Sequence, residues 1–245
     1  MDNNRSEIEL HELFNGRLNL YQKKKGYRFS IDSILLGYFA AKKAAGTVAD
    51  LGTGSGVLPV ILARHQKVDR ITGIEIQREL AELAEKNILH NNCHEKVNIK
   101  YADIKKIKDF FSAGSFDTVI TNPPFYSIGT GRVNPDSENA IARHELKGTI
   151  SDFLAASSFL LKYGGSFYAV YTPARLTDLI FELRKNRIEP KTLQFVHPNE
   201  NEPANIVLVK GIKGAGTETK ILSPFILYEK NGKYTEMANS VFNKI

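Results

Sequence analysis

Cysteine occurs once in the 245 residues, at Cys93, so no disulfide can form within the chain. That fits a reducing cytoplasm, where thiols stay free. No apolar run approaches the roughly 20 residues that a membrane-spanning helix needs. The opening "MDNNRSEIEL" is polar and acidic, unlike a secretory signal. There is no internal repeat and no low-complexity tract; the one loose segment is "KGIKGAGTETK", expected as a surface loop. What remains is an ordinary globular composition, 42% hydrophobic, with a length that fits one large domain or two small ones. The net charge of +6 and pI near 9.2 permit a polyanionic partner without requiring one.

The order of patterns is informative. Residues 18–29, "LNLYQKKKGYRF", predict two short strands around a lysine-rich turn. "SIDSILLGYFAAKKA" then has helical spacing at Ile31, Ile34, Leu35 and Tyr38, with Ser30 or Asp32 as N-cap. This leader is too short for its own core. We therefore expect residues 1–45 to form a hairpin and helix packed on a single domain spanning residues 46–245. From Thr47 strands and helices alternate. "TVADLG", "RITGIEI", "VNIKYAD", "FDTVITN" and "SFYAVYT" read as strands. "VLPVILARHQ", "RELAELAEKNILHNN", "TISDFLAASSFLLKYGG" and "ARLTDLIFELRKN" read as helices, the third closed by Gly164 and Gly165. Such alternation argues an α/β fold with a doubly wound, mostly parallel sheet. "TLQFVHP" and "ANIVLVKG" have no helix between them and predict an antiparallel pair at one edge, making seven strands. Asn231-Gly232 marks a hairpin before a short final helix.

The stretch "VADLGTGSGV" places Gly52, Gly54 and Gly56 just after the first sheet strand, with Asp50 two residues before them. A tight strand-to-helix turn wants positive φ, and a ligand approaching backbone wants no Cβ. The helix start then offers free N–H groups to an anionic group. The dinucleotide fingerprint G-x-G-x-x-G would need glycine at position 57, which is Val57; this disfavours a nicotinamide oxidoreductase. Glu75 ends the next strand, where a carboxylate can accept from both hydroxyls of a ribose. Asp103 ends the one after, placed to meet an exocyclic amine of adenine. Blander readings stay open. The glycines could serve the turn alone, Glu75 could be a solvated strand end, and Asp103 could cap the following "IKKIKDF".

The fourth strand ends on Asn122-Pro123-Pro124-Phe125. Together "DLGTGSG", Glu75, Asp103 and "NPPF" resemble class I S-adenosylmethionine-dependent methyltransferases of the group that methylates a planar amino group. The leader "YQKKKGYRFSIDSILLGYFA" and "AIARHE" further resemble the bacterial tRNA (adenine-N6)-methyltransferase branch, which modifies valine tRNA beside its anticodon. The resemblance covers essentially the whole chain. It implies a Rossmann-like sheet and S-adenosyl-L-methionine as cofactor. Gly52, Gly54 and Gly56 would approach its methionine part, with Asp50 beneath. Glu75, with Ile76 beside it, would hold the ribose hydroxyls, and Ala102 and Asp103 would lie beside the adenine. Arg28 and Asp32 of the leader would pack near the cofactor, and Asn122 would border it.

For the acceptor, the resemblance implies Asn122, Pro123, Pro124 and Phe125 as the catalytic set. The Asn122 side-chain oxygen and the Pro123 carbonyl would accept the two N–H bonds of an amino group, favouring its pyramidal form. The prolines fix φ and offer no N–H. Phe125 would stack on the extruded base. Tyr126, Lys23, Lys24 and Arg143 are further candidates for contact with a nucleic-acid substrate. Lys25 and Arg28 extend that cluster, and the polar loop ahead of Arg143, His144 and Glu145 could close over a base or simply start a helix. His90, Cys93 and His94 fall within five positions, but they read as a solvated helix end rather than a metal site. Adenine N6 in tRNA is the leading expectation. Guanine N2 in ribosomal RNA, a protein glutamine amide, adenine in DNA and an RNA-binding scaffold without catalysis are the alternatives.

Overall fold

In the chain's computed structural model, which describes residues 8–13, 16, 18–24, 30–124 and 148–244, the described strands from Gly46 onward collect into one sheet. Its parallel members are β3 (Gly46–Leu51), β4 (Val68–Glu75), β5 (Val97–Tyr101), β6 (Phe116–Thr121) and β7 (Leu161–Tyr171). Beyond them lie β8 (Ile188–His197) and β9 (Ile206–Lys213). The order runs β5, β4, β3, β6, β7, β9, β8. The antiparallel pair is β8 and β9, and β9 is the inner of the two, antiparallel to β7 as well. Two two-residue strands, β10 (Lys220–Ile221) and β11 (Phe225–Ile226), close the outer edge of β8. The segment expected as a loop from Lys210 is therefore strand as far as Lys213, since Gly211 and Ile212 pair with both β7 and β8.

Helices cover both faces. They are α1 (Ile31–Ala41), α2 (Val57–Leu62), α3 (Arg78–His90), α4 (Ile150–Leu160), α5 (Leu176–Lys185) and α6 (Glu236–Lys244). Alternation along each strand feeds two cores. Val48, Ile120, Tyr168 and Leu208 join one, and Ala49, Val119, Phe167 and Val209 the other. The third helix expected from sequence ends earlier than its glycines suggest. Leu161 takes extended backbone (φ −67°, ψ 136°) and begins β7. Phe116 pairs with Leu161 but Thr118 with Ser166, so Gly164 and Gly165 lie in a bulge rather than at a helix end.

The leader docks on this core. Strand β2 (Leu18–Lys23) pairs with β1 (Ile8–Leu13), a strand the polar N-terminal sequence did not suggest. The strand expected around Tyr27 and Phe29 lies outside the described residues. Leu18 and Leu20 are fully buried, each contributing about 1.5–3 kcal/mol. The edge of β2 that faces away from β1 lies along α3, held by the side-chain amides of Asn87 and Asn91. Helix α1 packs on α2, β7 and β9. Ser30 sits at its N-cap position without a side-chain cap bond, and Asp32 lies in the first turn. At the far end Tyr228 bridges Tyr234, and Gly232 takes φ 79° in the hairpin between them. Among the described residues no helix is long and apolar enough to cross a membrane.

Candidate active site

Strand order reverses between β3 and β6. The chain leaves β3 toward β4 and β5, and later leaves β6 toward β7. In an open α/β sheet the crevice at the carboxyl ends beside such a reversal receives ligands. Gly52 follows β3 and Asn122 follows β6, so they flank that crevice. Glu75 ends β4, while Ala102 and Asp103 follow β5. Thus the acids and the amide singled out in the sequence lie along one sheet edge.

The glycine turn is built from short backbone contacts. Gly52, Gly54 and Gly56 all have positive φ, at 70°, 59° and 81°. The N–H groups of Gly52 and Thr53 both donate to the carbonyl of Ile74, at 2.8 and 3.0 Å. The Thr121 hydroxyl donates to the Leu51 carbonyl at 2.8 Å, tying β6 to the start of the turn. Gly73 makes room below, where a Cβ would come within 2.9 Å of Thr53 Oγ1. That clearance lets Thr53 fold under and donate to Asp50 Oδ2 at 2.6 Å.

Two buried acids line the turn. Glu75 Oε2 accepts from the Gly54 N–H and Oε1 from the Gln77 N–H, both at 2.9 Å. It is therefore a wired residue, not a solvated strand end; only 4% of it is exposed. Asp50 is fully buried, and its Oδ1 makes no hydrogen bond among the described residues. Burial pushes its carboxyl up to about 7, with the nearby Glu75 charge adding to the rise and the Thr53 hydroxyl opposing it.

The remaining expected residues fall as follows. Asp103 caps the turn Ile104–Asp109, accepting from the Lys105 N–H at 2.9 Å, so the capping reading is realised. Ala102 is buried beside it, its N–H donating to the Glu75 carbonyl at 2.9 Å, and Ile76 is half-buried. Asp32 is half-buried, and burial raises its carboxyl above the usual range against the opposing Ser30 hydrogen bond. Asn122 and Pro124 are half-buried and Pro123 is buried. Lys23 pairs with Glu79 of α3, which draws that carboxyl below its usual range. Lys24 is exposed. Arg28, Phe125, Tyr126, Arg143, His144 and Glu145 lie outside the described residues. Cys93 is not solvated. It is buried in the core with Sγ 3.3 Å from the Asn91 carbonyl, while the His90 ring stands edge-on to Tyr21.

Three residues that the sequence reading passed over support the site. Thr53 holds Asp50, Asn87 donates to the Ser55 carbonyl within the glycine turn at 2.8 Å, and Ser33 of α1 meets the Asn122 amide. Thr53 and Ser55 lay inside the motif as its variable positions. Asn87 had one signal, an amide on the otherwise apolar face of α3.

S-adenosylmethionine, the cofactor that the sequence resemblance implies, can be set against this edge. The orphaned Asp50 Oδ1 and the remaining acceptor capacity of Glu75 suit the donors that this cofactor carries, its ammonium and ribose hydroxyls. Residues 30–177, more than half of the chain, match the methyltransferase small domain, and the chain belongs to that family. It is 29% identical over 213 residues to a tRNA1(Val) (adenine(37)-N6)-methyltransferase of Porphyromonas gingivalis, covering 80% of this chain and 82% of the relative. It shares its fold with a crystal structure described as a predicted O-methyltransferase from Agrobacterium tumefaciens. The TM-score is 0.71 and the identity 23%, over 86% of this chain and 95% of that one. It also resembles a Thermus thermophilus 16S rRNA N2 G1207 methyltransferase solved with AdoMet and guanosine. There the TM-score is 0.58 and the identity 18%, over 84% of this chain and 50% of that one.

Proposed function

We propose that the chain methylates N6 of adenine in tRNA, at the position beside the anticodon of valine tRNA, in the cytoplasm. The observation that carries the reading is the placement of Asn122-Pro123-Pro124 at the switch point, across from the glycine turn and its two buried acids. The tRNA-modifying name of the Porphyromonas relative supports the choice of RNA.

When bound, the cofactor supplies an electrophilic methyl group on a sulfonium. The protein's share is binding, alignment and acceptance of hydrogen bonds. Glu75 and Asp50 would hold the cofactor's polar groups, and the three glycines would let the backbone approach it with no Cβ between them. An exocyclic amino group has its lone pair delocalised into the ring. Asn122 Oδ1 and the Pro123 carbonyl accept its two N–H bonds and favour the pyramidal geometry that attack requires. Pro123 and Pro124 hold φ near −65°, so little order is lost on binding. Phe125 offers the extruded base a stacking face worth roughly 1–3 kcal/mol. No general base is required, because the product ammonium is acidic enough to release its proton to water.

The test is incubation of the purified protein with labelled S-adenosylmethionine and, separately, total tRNA, ribosomal RNA and protein, followed by mapping of the label. Methylation of adenine N6 in tRNA is the expected result. Label on guanine N2 or on a glutamine amide would redirect the substrate, and no transfer at all would refute the reading.

A further inference from the structure

Helix α1 carries a buried serine just ahead of an apolar run. Ser33 is 3% exposed and is followed by the buried Ile34, Leu35 and Leu36. A hydroxyl in such a place is costly unless partnered. Its partner is 89 residues away: the Asn122 Nδ2 donates to Ser33 Oγ at 2.9 Å. The leader helix therefore reaches the residue that ends β6.

The direction of that bond has a chemical consequence. An asparagine amide has a donor end and an acceptor end, and its terminal torsion is soft. Presented by its nitrogen, it would set donor against donor at an amino group. Presented by its oxygen, it accepts. A serine hydroxyl can serve either end, so it does not choose alone. Once an acceptor N–H takes Oδ1, however, Nδ2 needs an acceptor of its own, and Ser33 Oγ stands where that acceptor is needed.

We infer that Ser33 is a positioning residue for methyl transfer, anchoring the Asn122 amide nitrogen so that Oδ1 faces the acceptor's amino group. The inference rests on the proposed role of Asn122. Ser33 acts through Asn122 rather than on the cofactor. Its loss should leave cofactor binding intact and slow the chemical step.

The experiment compares parent, S33A, S33T and N122A in single-turnover transfer from labelled S-adenosylmethionine to total tRNA. Cofactor affinity is measured by calorimetry and stability by thermal unfolding. S33A should slow transfer by about ten- to a hundredfold, the range of leaving one amide end unpartnered beside the buried start of α1. Cofactor affinity should stay within about twofold. S33T, which retains the hydroxyl, should recover most of the rate. S33A turning over at the parent rate while N122A is slow overturns this inference and leaves the role of Asn122 standing. N122A at the parent rate overturns that role itself. A cofactor affinity that falls in step with the S33A rate, or an S33T protein as slow as S33A, makes Ser33 a packing residue and overturns the inference as well.

Discussion

Asn87 and Tyr21 exchange two hydrogen bonds: the Tyr21 N–H donates to Asn87 Oδ1 at 2.7 Å, and Asn87 Nδ2 donates to the Tyr21 carbonyl at 3.0 Å. Four residues on, the Asn91 Nδ2 donates to the Asn19 carbonyl at 2.8 Å. The spacings match, since four helical residues rise about 6 Å and two strand residues about 6.7 Å. Two amides, one on α3 and one just past its end, thus stand in for a neighbouring strand along β2.

Asn87 differs from Asn91 in also reaching Ser55 in the glycine turn. N87A should cost about 2–4 kcal/mol in urea unfolding, because it strands buried backbone groups on two elements. It should also weaken S-adenosylmethionine binding. N91A should cost about 1 kcal/mol and leave cofactor affinity unchanged. Equal effects of the two on affinity would show that the Ser55 contact does not organise the turn.

Glu75 bears on both the turn and the cofactor. E75Q replaces one acceptor with an amide that meets the Gly54 or Gln77 N–H donor to donor. Cofactor affinity in calorimetry should fall about ten- to a hundredfold, with a loss of about 1–3 kcal/mol in stability. An affinity unchanged from the parent would exclude Glu75 from the binding site.

The raised carboxyl of Asp50 predicts a pH dependence. Its folded-state value of about 7 exceeds the ordinary 3.8, so the folded state holds that proton more tightly. The stabilisation is full below about pH 4 and is lost as pH rises toward about 7, amounting to at most about 4 kcal/mol. D50N should therefore gain stability relative to the parent as pH rises from 4 to 8. The ionised carboxylate suits a cationic ligand, so the parent's affinity for S-adenosylmethionine should strengthen between pH 5.5 and 7.5, and D50N should lose that slope. Parallel stability profiles for the two proteins would contradict the shift.

Much of this was legible in the sequence, for identifiable reasons. The strand–helix alternation from Thr47 and the absence of a helix between β8 and β9 were visible in periodicity alone. The glycine turn, Glu75 and Asn122 announced themselves because each stands at a strand's carboxyl end. The helix end at Leu160 was hidden, since the glycines that mimic a C-cap belong to a bulge in β7. Strand β1 was hidden because "IELHEL" sets polar and apolar side chains on both faces, with Leu10 exposed while Glu9 and His11 are half-buried. The supporting bonds of Ser33, Thr53 and Asn87 link residues brought together only by folding, or small side chains inside a motif. No local pattern marks such pairs.

The central claim is that Asn122 accepts the amino group rather than holding the cofactor or the fold. It is tested most directly by measuring, on one N122A preparation, calorimetric affinity for S-adenosylmethionine and single-turnover transfer to adenine N6 of tRNA. The account predicts an affinity within about threefold of the parent and a rate lower by at least about a hundredfold. A rate close to the parent's, or a rate loss matched by an equal loss of cofactor affinity, would contradict it.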